Sequence, residues 1–140
     1  MPIDWQRLKD QLTVDEAKRN KPYKCSAGKT TIGVGRNLDD KGLSSAEIDV
    51  LLENDMADAV ADCRAIFKNF DDIDETRSNA LANMAFNLGK TRFLAFKKMI
   101  AAVDARNWPE AAKQAKESAW YRQVGNRAAR ICVALESGNA

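Results

Sequence analysis

The stretch Asp15–Gly35, reading DEAKRNKPYKCSAGKTTIGVG, decides how the rest of the chain is read. It sets one acid, Glu16, at the end of a helix-forming segment. Residues 3–16 space Ile3, Trp5, Leu8, Leu12 and Val14 as the apolar side of an amphipathic helix, with charges between them. Pro22 falls beyond the end of that helix. Gly28, Gly33 and Gly35 then alternate with Thr30, Thr31, Ile32 and Val34. This texture predicts a short hairpin or three-stranded sheet from Tyr23 to Leu38, with Gly28 in the turn. An acid, the thiol of Cys25 and the hydroxyl of Thr31 are thus brought where a helix meets a small sheet. Such a trio could form a hydrolytic site, and Cys25 stands where a second carboxylate would be expected.

Downstream, Asp39–Gly42 (DDKG) reads as a second turn, with Ser44 or Ser45 as an N-cap and Glu47 set for a capping box. A long helix follows over about 45–67, its apolar side formed by Ile48, Leu51, Leu52, Met56, Ala59, Val60 and Cys63. Its length suits a connector between a small lobe over about 17–43 and a helical lobe over about 70–137. After the acidic turn Asp71–Asp74, an Ala-rich helix over about 75–88 stops at Gly89. Further helices are predicted over about 93–104, from Trp108-Pro109 to the break at Gly125-Asn126, and over about 127–135. Trp108, Trp120, Tyr121, Cys63 and Cys132 have the spacing of core residues. The fold class is α+β, mostly helical, in one domain spanning 1–140.

The bulk numbers exclude more than they assign. The chain has 140 residues, 45% of them hydrophobic and 30% charged, with a net charge of +2. That describes an ordinary globular protein without a nucleic-acid signature. Residues 106–130 nevertheless gather six cations against only Glu110 and Glu117, which predicts a basic C-terminal face. The three cysteines are far apart and form no CxxC pair, so no metal site is expected, nor any cofactor. There is no histidine. Its absence removes Ser-His-Asp and Cys-His catalysis together, and leaves Cys25 without an imidazole to activate it. The N-terminus MPIDWQRLKDQL lacks an apolar core, and no apolar run approaches membrane-spanning length. The chain is therefore expected to stay in the cytoplasm where it is made until something else releases it, without stable membrane insertion.

Glu16, Cys25 and Thr31 are separated by eight and then five residues. With Pro22-Tyr23-Lys24, Gly28 and the run Thr31-Ile32-Gly33-Val34-Gly35, the segment resembles the phage-type lysozymes, the endolysins of glycoside hydrolase family 24. Two distant blocks support the resemblance: Asn83-Met84-Ala85-Phe86-Asn87-Leu88-Gly89, and Trp108-Pro109-Glu110-Ala111-Ala112 through Trp120-Tyr121 to Asn126-Arg127-Ala128. It covers nearly the whole chain and implies a lysozyme-like two-lobed fold, with the N-terminal helix packed on the helical lobe.

The resemblance implies hydrolysis of the β-1,4 bond between N-acetylmuramic acid and N-acetylglucosamine in peptidoglycan. Glu16 takes the place of the general acid, while Cys25 and Thr31 take the places that hold the attacking water in an inverting reaction. Arg127 matches the arginine beside the catalytic glutamate, and Gly35, Phe86 and Asn87 match positions at the substrate. A neutral thiol is a poor substitute for a carboxylate, whereas a thiolate stabilised by a nearby cation could replace it or attack the anomeric carbon itself. A non-catalytic glycan-binding module of the same fold is the alternative. Arg36 replaces a family histidine, and the matching partner on the long helix is Asp55. The implied partners are glycan strands of peptidoglycan, reached by a monomer in the periplasm once a holin has opened the host membrane.

Overall fold

The computed structural model describes residues 2–139. Asp4 caps the first helix, α1 (Trp5–Glu16), its carboxylate accepting from the Arg7 N–H at 3.0 Å. Ala17 then turns the chain with φ 62° and ψ 146°, a conformation that side chains other than glycine's rarely adopt. Beyond it β1 (Lys18–Lys24), β2 (Thr30–Val34) and β3 (Arg36–Asn37) form an antiparallel sheet in the order β1-β2-β3.

The sheet begins earlier than the sequence predicts, at Lys18, in a segment with no apolar alternation. Pro22 accounts for this. Pairing steps from Arg19↔Gly33 to Tyr23↔Thr31, so β1 bulges between Arg19 and Tyr23. The missing N–H of Pro22 falls in that bulge, on an edge strand where no ladder bond is lost.

Gly28 closes the β1–β2 turn, donating to the Cys25 carbonyl at 2.8 Å with φ +77°. The start of α2 (Ser45–Ile66) is the expected capping box, with Ser44 as the cap. The Glu47 N–H donates to Ser44 Oγ at 3.2 Å, and the Ser44 N–H donates to Glu47 Oε1 at 2.9 Å.

The chain divides into two compact units, Met1–Asp49 and Val50–Ala140, with the boundary inside α2. Within the second unit, the C-terminal half of α2 buries Ala59, Cys63 and Ile66. A 3-10 turn over Phe70–Asp72 leads to α3 (Glu75–Leu88), capped by Asp74 and stopped at Gly89 as expected. Then come α4 (Lys90–Leu94), α5 (Lys97–Asp104), α6 (Trp108–Lys116), α7 (Ala119–Val124) and α8 (Asn126–Ser137).

Two predicted helices are each divided. The helix predicted over 93–104 breaks at Ala95-Phe96, where Phe96 leaves helical geometry with ψ 56°. The one from Trp108 breaks before Ala119, because Ser118 caps a new helix by accepting from the Tyr121 N–H at 3.3 Å.

The core of this unit runs as a chain of edge-to-face aromatic contacts. Phe67 meets Phe93 at 5.4 Å, Phe93 meets Phe96 at 6.0 Å, and Phe96 meets Trp120 at 6.4 Å. Leu81, Met84, Val103, Cys132 and Leu135 are fully buried around it. Arg77 ties α3 to the end of α8, donating to the carbonyls of Leu135 and Glu136 at 2.6 and 2.9 Å, with its guanidinium over Trp108 at 4.7 Å.

The apolar spacing of α1 and of early α2 does not translate into burial. No residue of α1 is buried, Trp5 is 76% exposed, and Ile48, Leu51, Leu52 and Met56 on α2 are all exposed. The period of a helix fixes which side is apolar but not whether anything covers it.

Candidate active site

Glu16 is the last residue of α1 and is solvent-exposed. Its carboxyl lies over the β2–β3 turn at Gly35. A methyl group on Gly35 would stand 2.9 Å from both Glu16 Cδ and Oε2, closer than such atoms approach, and Gly35 also has φ +71°. The glycine therefore does two things at once: it makes the turn, and it leaves the space the acid fills. The unusual backbone at Ala17 follows Glu16 directly, so the acid stands between a strained helix end and a tight turn.

Cys25 and Thr31 come together across the β1–β2 hairpin. Thr31 is the only buried residue described in Met1–Asp49, at 4% exposure, and Cys25 is half-buried. The Thr31 hydroxyl donates to the Lys29 carbonyl at 2.9 Å and lies within hydrogen-bonding reach of the thiol. The backbone N–H of Lys29, then that of Ala27, hold the Cys25 thiol below its ordinary pKa, with a smaller contribution from the Thr31 hydroxyl; partial burial works in the opposite direction. The sequence suggests a neighbouring cation as the source of thiolate character. The structure instead lowers the thiol's pKa through the hairpin's own N–H groups, which the residue types alone do not show.

Lys24 and Lys29, the two lysines that flank the hairpin turn, are engaged elsewhere. Lys24 Nζ donates to Thr30 Oγ1 at 2.6 Å, and Lys29 Nζ pairs with Asp40 at 3.2 Å. By contrast, Cys63 and Cys132 lie in the core, where burial pushes their thiols up to about 12 and about 11, as core residues should be.

Arg36 does not use the partner the sequence suggests. Its guanidinium grips Glu47 with both nitrogens, at 2.7 and 2.6 Å, and donates to the Gly42 carbonyl at 3.2 Å. Asp55 was the expected partner. Glu47 wins because the capping box already fixes its carboxylate at the start of α2, so little further ordering is needed. Arg36, with the Ser44 N–H next, holds the Glu47 carboxyl down at about 2.

The remaining candidates lie in Val50–Ala140. Phe86 is 43% exposed on α3, and Asn87 beside it is half-buried. Asn87 Oδ1 accepts from Trp120 Nε1 at 2.8 Å, which satisfies the buried indole and fixes the amide's orientation. Arg127, at the start of α8, donates from Nε to Asn83 Oδ1 at 2.8 Å and from Nη2 to the Asn83 carbonyl at 3.3 Å. Sequence reasoning missed the roles of Asn83 and Trp120 as holders of Arg127 and Asn87. Both belong to the blocks quoted above, but nothing in their spacing says which residue they hold. Among the described residues no cluster of His, Cys, Asp and Glu is placed to hold a metal ion, and no helix is long and apolar enough to cross a membrane.

An acid at a helix end and a small sheet that carries a hydroxyl and a thiol thus lie in one unit. Comparison with known proteins gives the class. The family model described as Phage lysozyme matches residues 14–133, and the chain belongs to that family, a family of lysozyme-type glycosidases. Probable T4-type lysozyme 1 of Dictyostelium discoideum is 31% identical, the match covering 94% of each chain. Probable T4-type lysozyme 2 of the same organism is 28% identical over the same shares. The pre-baseplate central spike protein Gp5 of Enterobacteria phage T4 is 27% identical across 94% of this chain but only 28% of its own length.

Proposed function

We propose that the protein is a peptidoglycan N-acetylmuramidase, cleaving the β-1,4 bond between N-acetylmuramic acid and N-acetylglucosamine to lyse a host cell. Glu16 protonates the leaving glycosidic oxygen. Cys25 and Thr31 hold the water that attacks the far face of the sugar, so the reaction inverts the anomeric centre. Phe86, Asn87 and Arg127 contribute contacts to the glycan, and Gly35 keeps the acid in place. The observation that carries the reading is the Glu16 carboxyl lodged in the space that Gly35 leaves open, on the unit whose hairpin joins Cys25 to Thr31.

The same proposal extends to organisation and location. The chain works as a single monomeric domain. It reaches peptidoglycan in the periplasm after a holin has opened the membrane. Its need for no metal or cofactor follows from the chemistry, which asks only for an acid and an oriented water.

Clearing of outer-membrane-permeabilised Gram-negative cells tests it, with Glu16→Gln as the control. Wild type should clear the suspension and the variant should fall by about 10²–10⁴-fold. Equal clearing by both, or clearing by neither, overturns the enzyme reading; binding of the glycan without clearing would indicate a binding module instead. Cys25→Asp should keep activity within about tenfold of wild type, because a carboxylate can hold the same water, whereas Cys25→Ser should lose about a hundredfold.

A further inference from the structure

Arg36 touches none of the three candidate groups, yet its backbone adjoins the supports of two of them. It directly follows Gly35, over which the Glu16 carboxyl lies, and the two Cα atoms are about 3.8 Å apart across one peptide. Asn37, the next residue, pairs with Thr31, and the Leu38 N–H donates to the Thr30 carbonyl at 2.8 Å. The backbone of β3 thus meets the acid's support at one end and the hydroxyl's strand at the other.

β3 is only two residues long, so its own ladder bonds fix it weakly. The Arg36 side chain adds what the ladder lacks. Its guanidinium reaches Glu47 with two nitrogens at 2.7 and 2.6 Å, and its bond to the Gly42 carbonyl at 3.2 Å closes the loop over 37–42. No other sheet residue among those described bonds to α2 through its side chain. Two parallel bonds set an angle as well as a distance, which a single lysine bond does not.

Glu47 is itself fixed by the Ser44 N–H at 2.9 Å, so the clamp starts from an anchored carboxylate. The two side chains are 27% and 39% exposed, and a pair this open adds little to stability. Geometry is what it contributes. We infer that Arg36 is a positioning residue: clamped to Glu47, it fixes β3 so that the Gly35 turn and the Thr31 strand hold the acid and the hydroxyl in the arrangement hydrolysis needs. The inference rests on the proposed role of Glu16 as the acid. Because the guanidinium does not deprotonate, the cationic side of the clamp persists at any working pH.

Steady-state hydrolysis of soluble, uncross-linked glycan strands, followed by release of reducing ends, tests it. Arg36→Gln should lower kcat about tenfold and leave KM within about twofold, because the acid is displaced while the proposed glycan contacts lie on other residues. Glu47→Gln should do the same, since glutamine keeps the capping box and loses only the charge. The double variant should also lose about tenfold, rather than the roughly hundredfold loss of two independent effects. Arg36→Lys should return to within about threefold of wild type. Should Arg36→Gln fail to fold by circular dichroism, Glu47→Gln alone must show the loss in kcat. Independently of activity, the carbon-13 NMR signal of the Glu16 carboxyl should move in Glu47→Gln.

An unchanged kcat, losses that multiply in the double variant, or an unmoved Glu16 signal overturns the inference. The two readings fail separately. Glu16-dependent hydrolysis with an unchanged kcat in Glu47→Gln removes only the clamp. Hydrolysis that survives Glu16→Gln removes the acid's role, while a moved Glu16 signal would still show the clamp setting that carboxyl's position.

Discussion

Every apolar side chain that is buried among the described residues lies between Ala59 and Leu135, while Met1–Asp49 buries only the polar Thr31. The helical unit is held by interdigitated aromatics, alanine-lined helix contacts and the Arg77 clamp. The small unit is held by directional bonds: the hairpin, the Asp4 cap, the capping box and the Arg36–Glu47 pair. The candidate acid, thiol and hydroxyl all sit in the unit without a core. Hydrogen bonds fix geometry sharply, but each adds only about 0.5–1.5 kcal/mol net, so this unit should open locally at lower cost than the helical one. Precise placement of three groups and low local stability are compatible, because the first depends on angles and the second on buried area.

The largest effect should come from the helical unit. Phe93 is fully buried and touches both Phe67 and Phe96, so Phe93→Ala should cost about 3–5 kcal/mol in urea unfolding. A loss under about 1 kcal/mol would mean that the aromatic chain is not the core of that unit.

Next comes a change that should affect activity far more than stability. Gly35→Ala puts a methyl 2.9 Å from the Glu16 carboxyl and should lower the clearing rate by about a hundredfold through displacement of the acid. Unaltered clearing would show that Glu16 does not act from this position.

The smallest effect concerns pH. The Glu47 carboxyl is depressed to about 2, so its contribution is complete above its unfolded value of about 4.3 and is lost as pH falls towards 2. Protection against hydrogen exchange, taken relative to the intrinsic rate at each pH, should therefore fall across the start of α2 and β3 in wild type over that window. Glu47→Gln should be less protected at neutral pH and change little further on acidification. Wild-type protection that stays constant from neutral pH down to 2 would deny the pair its role.

The same division governs what could be read from the chain alone. α3 and its Gly89 stop, the capping box and the hairpin turn at Gly28 were all legible, because each depends on residues within a few positions of one another. β1 was missed at its start because Lys18–Lys24 has no apolar alternation and its proline marks a bulge that only the partner strand reveals. The breaks at Ala95-Phe96 and Ser118 escaped a reading based on period, although Ser118 is a recognisable cap.

At the candidate site, Glu16, Cys25 and Thr31 were singled out by the family resemblance, but the N–H groups that lower the thiol's pKa are backbone and leave no mark on residue type. The partner of Arg36 was misassigned because Asp55 was carried over from the pairing that the resemblance implies, whereas the capping box holds Glu47 within reach of the guanidinium.

Analysis of the new reducing ends in digested peptidoglycan tests the central claim most directly. Purified sacculi would be treated with wild type and with Glu16→Gln, and the products reduced and identified by mass spectrometry. Acid catalysis by Glu16 at the muramyl bond predicts N-acetylmuramic acid at every new reducing end with wild type and none above background with the variant. Reducing-end N-acetylglucosamine, or equal release by the two proteins, would contradict it.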